Sequence, residues 1–195
     1  METVRNTNQW MGATALSMAS YPIWGVVPNP SFRVMAAWGE VMERSFSRMV
    51  VKPDWGIDSI VGEDGRDHIV TIDTEISRPF GDLIRFTVQG RPEKSRRILL
   101  VAPMSGHYAT LLRSTVQSLL PDAEVWITDW HNARDIPVSE GKFDIEDYTL
   151  YLADFMRHLG PTINVIAVCQ PAPLALAATA LLAEEEPRSH PRSLT

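Results

Sequence analysis

The sequence is poor in cysteine, in positive charge and in long apolar runs. Cys169 is the only cysteine among 195 residues. A lone thiol excludes a disulfide framework and a cysteine-built zinc site, and it fits a reducing compartment. Lys and Arg number 18 against 24 Asp and Glu, for a net charge of −6. The single basic run, Lys94 to Arg97, is short, so the electrostatic footprint of a nucleic-acid binder is missing. No apolar run approaches the roughly 20 residues that span a bilayer. Residues 10–19 are apolar and small, but their lead-in sets Glu2 against Arg5 among polar residues, a poor start for a signal peptide. A cytoplasmic location is the expectation. There is no internal repeat, no low-complexity segment and no cofactor or metal motif.

What is present is enough apolar sequence for one substantial core. Residues 1–60 read as a helical and irregular N-terminal segment, and residues 61–195 as an α/β domain. Within the first segment, Tyr21-Pro22-Ile23-Trp24 and Pro28-Asn29-Pro30 block regular structure. Ser31 can cap a helix running to about Val51, with Val34, Met35, Trp38, Val41, Met42 and Met49 on a 3.6-residue period, and Pro53 stops it. Its Trp- and Met-rich face is expected to pack on the domain or to lie on an apolar lipid or polymer surface.

From Arg66 the pattern changes. Residues 68–77 and 82–89, joined by Arg78-Pro79-Phe80-Gly81, read as an antiparallel hairpin with one wet face. Three short continuous apolar runs follow, at 98–102, 124–130 and 163–168, as expected of strands buried on both faces. Between and after them lie helical patterns at 110–120, at 143–159 with Asp144 as N-cap, and from Pro171 onward. A hairpin followed by alternating strands and helices predicts a mostly parallel sheet with helices on both faces.

Ligands collect beyond the carboxyl ends of the strands in such a sheet. Three loops meet there: residues 103–109, residues 130–141, and the corner Ala167-Val168-Cys169-Gln170-Pro171. A strand turning abruptly into a helix with a nucleophile at the corner is the layout of a nucleophile elbow, in which backbone N–H groups face developing negative charge. Here Cys169 takes the place of the usual serine. Pro171 is favourable in a first helical turn, where its missing N–H would be unpaired. A helix start beside a thiol favours the nucleophilic thiolate. An inert buried cysteine is the alternative that the pattern by itself leaves open.

The segment Val168-Cys169-Gln170-Pro171-Ala172 resembles the intracellular polyhydroxyalkanoate (polyhydroxybutyrate) depolymerases. So do Ala102-Pro103-Met104-Ser105-Gly106-His107-Tyr108 with the residues up to Arg113, and Ile127-Thr128-Asp129-Trp130-His131-Asn132-Ala133-Arg134. The Tyr21-Pro22-Ile23-Trp24 segment and Asp144-Ile145-Glu146-Asp147-Tyr148 extend the resemblance over nearly the whole chain. It implies an α/β-hydrolase fold in which cysteine replaces the serine of lipases, acting on granules of stored polyester in the cytoplasm. It further implies that Cys169 attacks the carbonyl of a 3-hydroxyacyl ester, and that water or coenzyme A releases the resulting thioester. The oxyanion would be held by the backbone N–H of Gln170 and that of Met104 or Ser105, with Gly106 letting the loop approach substrate.

In this fold the acid and the histidine of the triad follow the nucleophile on later loops. After Cys169 the sequence holds one helix and a tail to Thr195, so the expectation is an N-terminal portion whose sheet is incomplete on its C-terminal side. His190 is too close in sequence to serve as the base, His107 and His131 read as hydrogen-bonded loop residues, and Asp129 as a residue that fixes its loop. Strand 163–168 is then expected to be an exposed, apolar edge that makes the isolated chain prone to aggregate. Two other readings remain. One is a non-catalytic, granule-binding fragment. The other is a synthase-like acyltransferase, disfavoured because Gln170-Pro171 stands where glycine follows a synthase cysteine. Oligomeric state is not legible.

Overall fold

A computed structural model describes residues 34, 37–41, 52–62, 65–90, 96–104 and 108–195. The chain divides into two compact units, Met1–Asp54 and Trp55–Thr195. In the first, Val34 and residues 37–41 are helical; the rest of the helix expected over 31–51, and the Tyr21-Pro22-Ile23-Trp24 segment, lie outside the described residues. Val34, Trp38 and Val41, three members of the expected apolar stripe, are all exposed.

The second unit is built on seven strands: β1 (Ser59–Val61), β2 (Asp67–Arg78), β3 (Gly81–Val88), β4 (Arg96–Val101), β5 (Ala123–Trp130), β6 (Asn164–Ala167) and β7 (Ser193–Leu194). Their order in the sheet is β1-β2-β3-β5-β4-β6-β7. The expected hairpin is β2 and β3, paired antiparallel, and β3 pairs antiparallel with β5. The ladders from β5 through β4 and β6 to β7 are parallel.

Period-2 alternation sorts each central strand between two cores. Leu99 and Val101 of β4, with Trp126 and Trp130 of β5, join one core with helices α2 (Ile145–Leu159) and α3 (Ala172–Glu185). Leu100 and Ala102, with Val125 and Ile127, face the other, which is closed by Leu112, Val116 and Leu120 in and around α1 (Arg113–Leu119) and by Ile57. Helices therefore cover both faces, as the apolar runs require. Asp144 caps α2 as expected: its carboxylate accepts from the Glu146 and Asp147 N–H groups, and the Asp147 carboxylate accepts from the Asp144 N–H.

Two features differ from expectation. First, β2 carries a register shift between Thr74 and Ile76, which leaves Glu75 as a bulge residue. Its carboxylate accepts from Trp126 Nε1 at 2.5 Å and meets His158 Nε2 at 2.7 Å. Burial works against the charged form of Glu75, but the bonds to Trp126 and His158 and the charges of His158 and Arg85 outweigh it and lower its pKa. Second, strand 163–168 is not the edge of the sheet. Residues 193–194 pair with it in parallel, and Arg192 N–H donates to the Ile163 carbonyl at 2.8 Å, Thr195 N–H to Val165 at 2.9 Å, and Ala167 N–H to Thr195 at 2.9 Å. Two strand residues leave no periodicity, so the tail after α3 carries no strand signal in the sequence. Its strand is set by the open β6 ladder, whose donors and acceptors are obligatory hydrogen-bonding groups.

Candidate active site

Val101 of β4 pairs with Ala167 of β6, and the Val168 N–H donates to the Val101 carbonyl at 3.1 Å. One residue later the chain leaves the sheet. Cys169 has φ = +67°, the only positive φ at a non-glycine among the described residues, and its thiol is exposed. A side-chain-bearing residue in that region is strained by about 1–3 kcal/mol and persists only where the surroundings over-determine it. Here they do. The strand is fixed on one side of the corner, and on the other Pro171 is buried in helical conformation (φ −75°, ψ −6°) at the start of α3. The turn is closed by the Ala172 N–H, which donates to the Cys169 carbonyl at 3.2 Å. The inert buried cysteine that the pattern left open is therefore excluded: the thiol stands out from the carboxyl end of β6.

The corner also limits which amides can face an oxyanion. Pro171 and Pro173 have no N–H, and that of Ala172 is committed to Cys169. Gln170, exposed beside Cys169, is the residue of the turn to which the sequence assigns an oxyanion amide. Met104 follows the end of β4 by three positions and packs partly buried against the core that holds α2 and α3. Ser105, Gly106 and His107 lie outside the described residues.

The described histidines are engaged elsewhere. His131 Nε2 meets Asp82 Oδ2 at 2.9 Å, and its Nδ1 donates to the Pro79 carbonyl at 3.0 Å. A carbonyl and a carboxylate are both acceptors, so in the protonated form both ring nitrogens donate to them, and neither is placed to take a proton from a nucleophile. The residue fastens the β2–β3 turn to the end of β5, with the Ser77 hydroxyl donating to Asp82 Oδ1 at 2.8 Å. Burial disfavours the cation, but the Asp82 bond, the Pro79 carbonyl and the charges of Asp82 and Asp129 outweigh it and raise the pKa above the ordinary 6.5. The sign follows directly. The stabilisation is fully present below about pH 6.5 and is lost as pH rises through the raised folded value. Urea unfolding at about pH 6 and about pH 9 is expected to show a loss in the wild type that Asp82→Asn reduces, and equal losses in the two would refute the clamp.

Asp129 is fully buried at the end of β5, consistent with holding its loop. His190 precedes β7, whereas Cys169 follows β6; the two strands are parallel, so these residues stand at opposite ends of the sheet. His158 is occupied with Glu75. Among the described residues, then, the corner holds Cys169 and its backbone frame without a histidine beside them. Within them too, no helix is long and apolar enough to cross a membrane, and no group of three His, Cys, Asp or Glu side chains could hold a metal ion.

Sequence reasoning missed the surroundings of Ala102, where Thr128, Trp130 and Tyr148 converge on the backbone of one residue. Thr128 is a buried hydroxyl within an otherwise apolar strand core, the one signal that could have pointed there. Gly81 belongs to the same construction: a Cβ on it would lie 2.7 Å from Cε3 of the Trp130 ring, so only glycine lets β3 pass that indole.

No protein-family model matches the chain, and no curated protein sequence is similar to it. Among solved structures it is similar to brefeldin A esterase, a bacterial homologue of human hormone-sensitive lipase, at 19% identity and TM-score 0.40, over 72% of this chain and 40% of that one. It is similar also to a protein described as a lipase from Acinetobacter baumannii AYE, at 17% identity and TM-score 0.41, over 64% of this chain and 40% of that one. A third is a predicted CIB-like hydrolase from Thermoplasma acidophilum, at 7% identity and TM-score 0.39, over 66% of this chain and 65% of that one. The chain thus spans about two fifths of the length of the first two. A mixed sheet with helices on both faces, carrying an exposed cysteine on a strained strand-to-helix turn, makes the fold α/β-hydrolase-like.

Proposed function

We propose that this chain carries the nucleophile of a polyester hydrolase of the intracellular polyhydroxyalkanoate depolymerase kind, acting on stored polymer at the granule surface in the cytoplasm. The observation that carries the reading is the positive φ of Cys169 at the exposed strand-to-helix corner, a strain that an inert structural cysteine has no use for. The resemblance of the Cys169 segment and of the loop holding Met104 and Ser105 to that family supplies the substrate class.

In this reading the Cys169 sulfur attacks the ester carbonyl of a 3-hydroxyacyl unit. A C–S bond forms, the ester C–O bond breaks, and the departing 3-hydroxyl of the neighbouring unit takes its proton from solvent. The Gln170 amide and that of Met104 or Ser105 hold the negative charge on the carbonyl oxygen during the addition. Water then cleaves the thioester, its hydroxyl going to the acyl group and its proton to sulfur. The thiol proton is lost to solvent and the thiolate that attacks needs no further base, whereas activation of water does, and a base typically contributes 10²–10⁴-fold. With no histidine at the corner among the described residues, acylation is expected to outrun release and the acyl-enzyme to accumulate.

Incubating the chain with amorphous poly(3-hydroxybutyrate) granules tests this. The expected result is a 3-hydroxybutyryl adduct on Cys169, found by mass spectrometry of the digested protein, slow release of 3-hydroxy acid, and loss of both in Cys169→Ala. Granule binding with neither adduct nor release favours the second reading, a non-catalytic granule binder. The observation on its side is the exposed face formed by Val34, Trp38 and Val41.

A further inference from the structure

Ala102 is the last residue before Pro103 and the loop carrying Met104, and its peptide is held by side chains where a neighbouring strand would be expected. The parallel ladder between β4 and β5 ends at Leu100 and Ile127. Beyond it, the Ala102 N–H donates to Thr128 Oγ1 at 2.9 Å. The Ala102 carbonyl accepts from Trp130 Nε1 at 2.9 Å and from the Tyr148 hydroxyl at 3.3 Å. Its two lone pairs are thereby both used. Ala102 and Thr128 are fully buried, and Trp130 and Tyr148 are 6% and 4% exposed. The two rings pack against each other, tilted by 33° with centroids 4.2 Å apart, so each limits the movement of the other's donor. The preceding carbonyl, that of Val101, is taken by the Val168 N–H beside Cys169. The corner residue Val168 and Thr128 thus hold the two sides of the Val101–Ala102 peptide, and Trp130 and Tyr148 hold the next one.

We infer that Thr128, Trp130 and Tyr148 are positioning residues for acylation: Thr128 holds the peptide before Ala102 and the two aromatic donors hold the Ala102–Pro103 peptide, and together they aim the Met104 amide at the oxyanion formed when Cys169 attacks. The inference rests on the reading of Cys169 as the nucleophile. Its mechanical basis is the proline. Between the clamped peptide plane and the plane that carries the Met104 N–H lie only the two backbone dihedrals of Pro103, and its ring locks φ. One soft rotation, Pro103 ψ, separates the clamp from the donor. Pro103 has no N–H with which to anchor itself, so the orientation must come from Ala102. Oxyanion donors act through preorganisation, and removing one outright costs about 10²–10³-fold in rate. Loosening one while keeping it in place is expected to cost about 10-fold.

The test compares two reactions of the same sulfur in the full chain, in Thr128→Val and in Tyr148→Phe. Acylation by p-nitrophenyl 3-hydroxybutyrate, followed as single-turnover nitrophenol release, passes through an oxyanion. Alkylation by iodoacetamide is displacement at a saturated carbon and forms none. The expected result is acylation slowed about 10-fold in each variant, with alkylation within about twofold of wild type. Acylation that is unchanged, or that falls only in step with alkylation, overturns the positioning role. Tyr148→Phe removes a single oxygen and decides the matter if Thr128→Val does not fold. A wild-type chain that alkylates at Cys169 but never acylates overturns the nucleophile reading itself, before any variant is compared.

Discussion

Cys169→Gly is expected to give a chain that is more stable than the wild type and unable to form an acyl adduct. At φ = +67° a Cβ is strained against the backbone, and glycine removes that strain. Part of the gain is offset because glycine frees the unfolded chain. The net stabilisation is expected to be about 1 kcal/mol, with Cys169→Ala near wild type because it keeps the Cβ. Both variants lose the sulfur and hence the thioester, so ester cleavage at this site falls to background. Urea midpoints for the three proteins, with adduct formation measured on each, check the pairing. Cys169→Gly less stable than Cys169→Ala would show that the corner is unstrained and remove the main argument for its being a catalytic turn. The expected order places stability and chemistry in opposition at a single residue.

Deleting residues 191–195 is expected to give a less stable chain that aggregates more readily than the wild type. The tail contributes three backbone hydrogen bonds to β6, a Ser193 hydroxyl donating to Asn164 Oδ1 at 2.8 Å, the buried Pro191, and Leu194 packed against the core under α2 and α3. At about 1 kcal/mol net for each backbone bond, the loss is about 3 kcal/mol, a large part of the stability of an ordinary domain. It also opens the full edge of a parallel strand to other chains. The aggregation expected from the sequence for the whole chain is thereby moved to the shortened one. Size-exclusion chromatography and urea unfolding of both lengths measure it. A shortened chain that stays monomeric with an unchanged midpoint would mean that β7 covers nothing of consequence.

Much of this architecture was legible because it rests on local chemistry. Alternation and turn residues marked β2 and β3, continuous β-branched runs marked β4, β5 and β6, and Asp144 with Asp147 marked the start of α2. The corner at Cys169 was legible because a strand run and a helix run abut there with no loop between them. The strand order was not, since placing β4 between β5 and β6 is decided by how the two cores close and not by any one segment. The bulge at Glu75 escaped because it answers to Trp126 and His158, distant in sequence. The clamp on Ala102 escaped for the same reason: Trp130 and Tyr148 read as ordinary core aromatics until β5 and α2 bring their donors to one carbonyl. His131 was read correctly as a hydrogen-bonded loop residue, although the partners that make it so, Asp82 and Pro79, come from the opposite side of the hairpin turn.

The position of β4 bears on how the site moves. It is hydrogen-bonded to β5 on one side and β6 on the other, and Leu99, Leu100, Val101 and Ala102 are all fully buried. Amides in such a strand exchange with solvent only when the whole domain opens, whereas β1, three residues long at the far edge of the sheet, can fray on its own. The carbonyl that receives Val168 and the peptide that precedes Pro103 therefore belong to the slowest-exchanging part of the molecule. Sub-global opening elsewhere leaves them undisturbed, so the arrangement around the sulfur has the same lifetime as the native state itself.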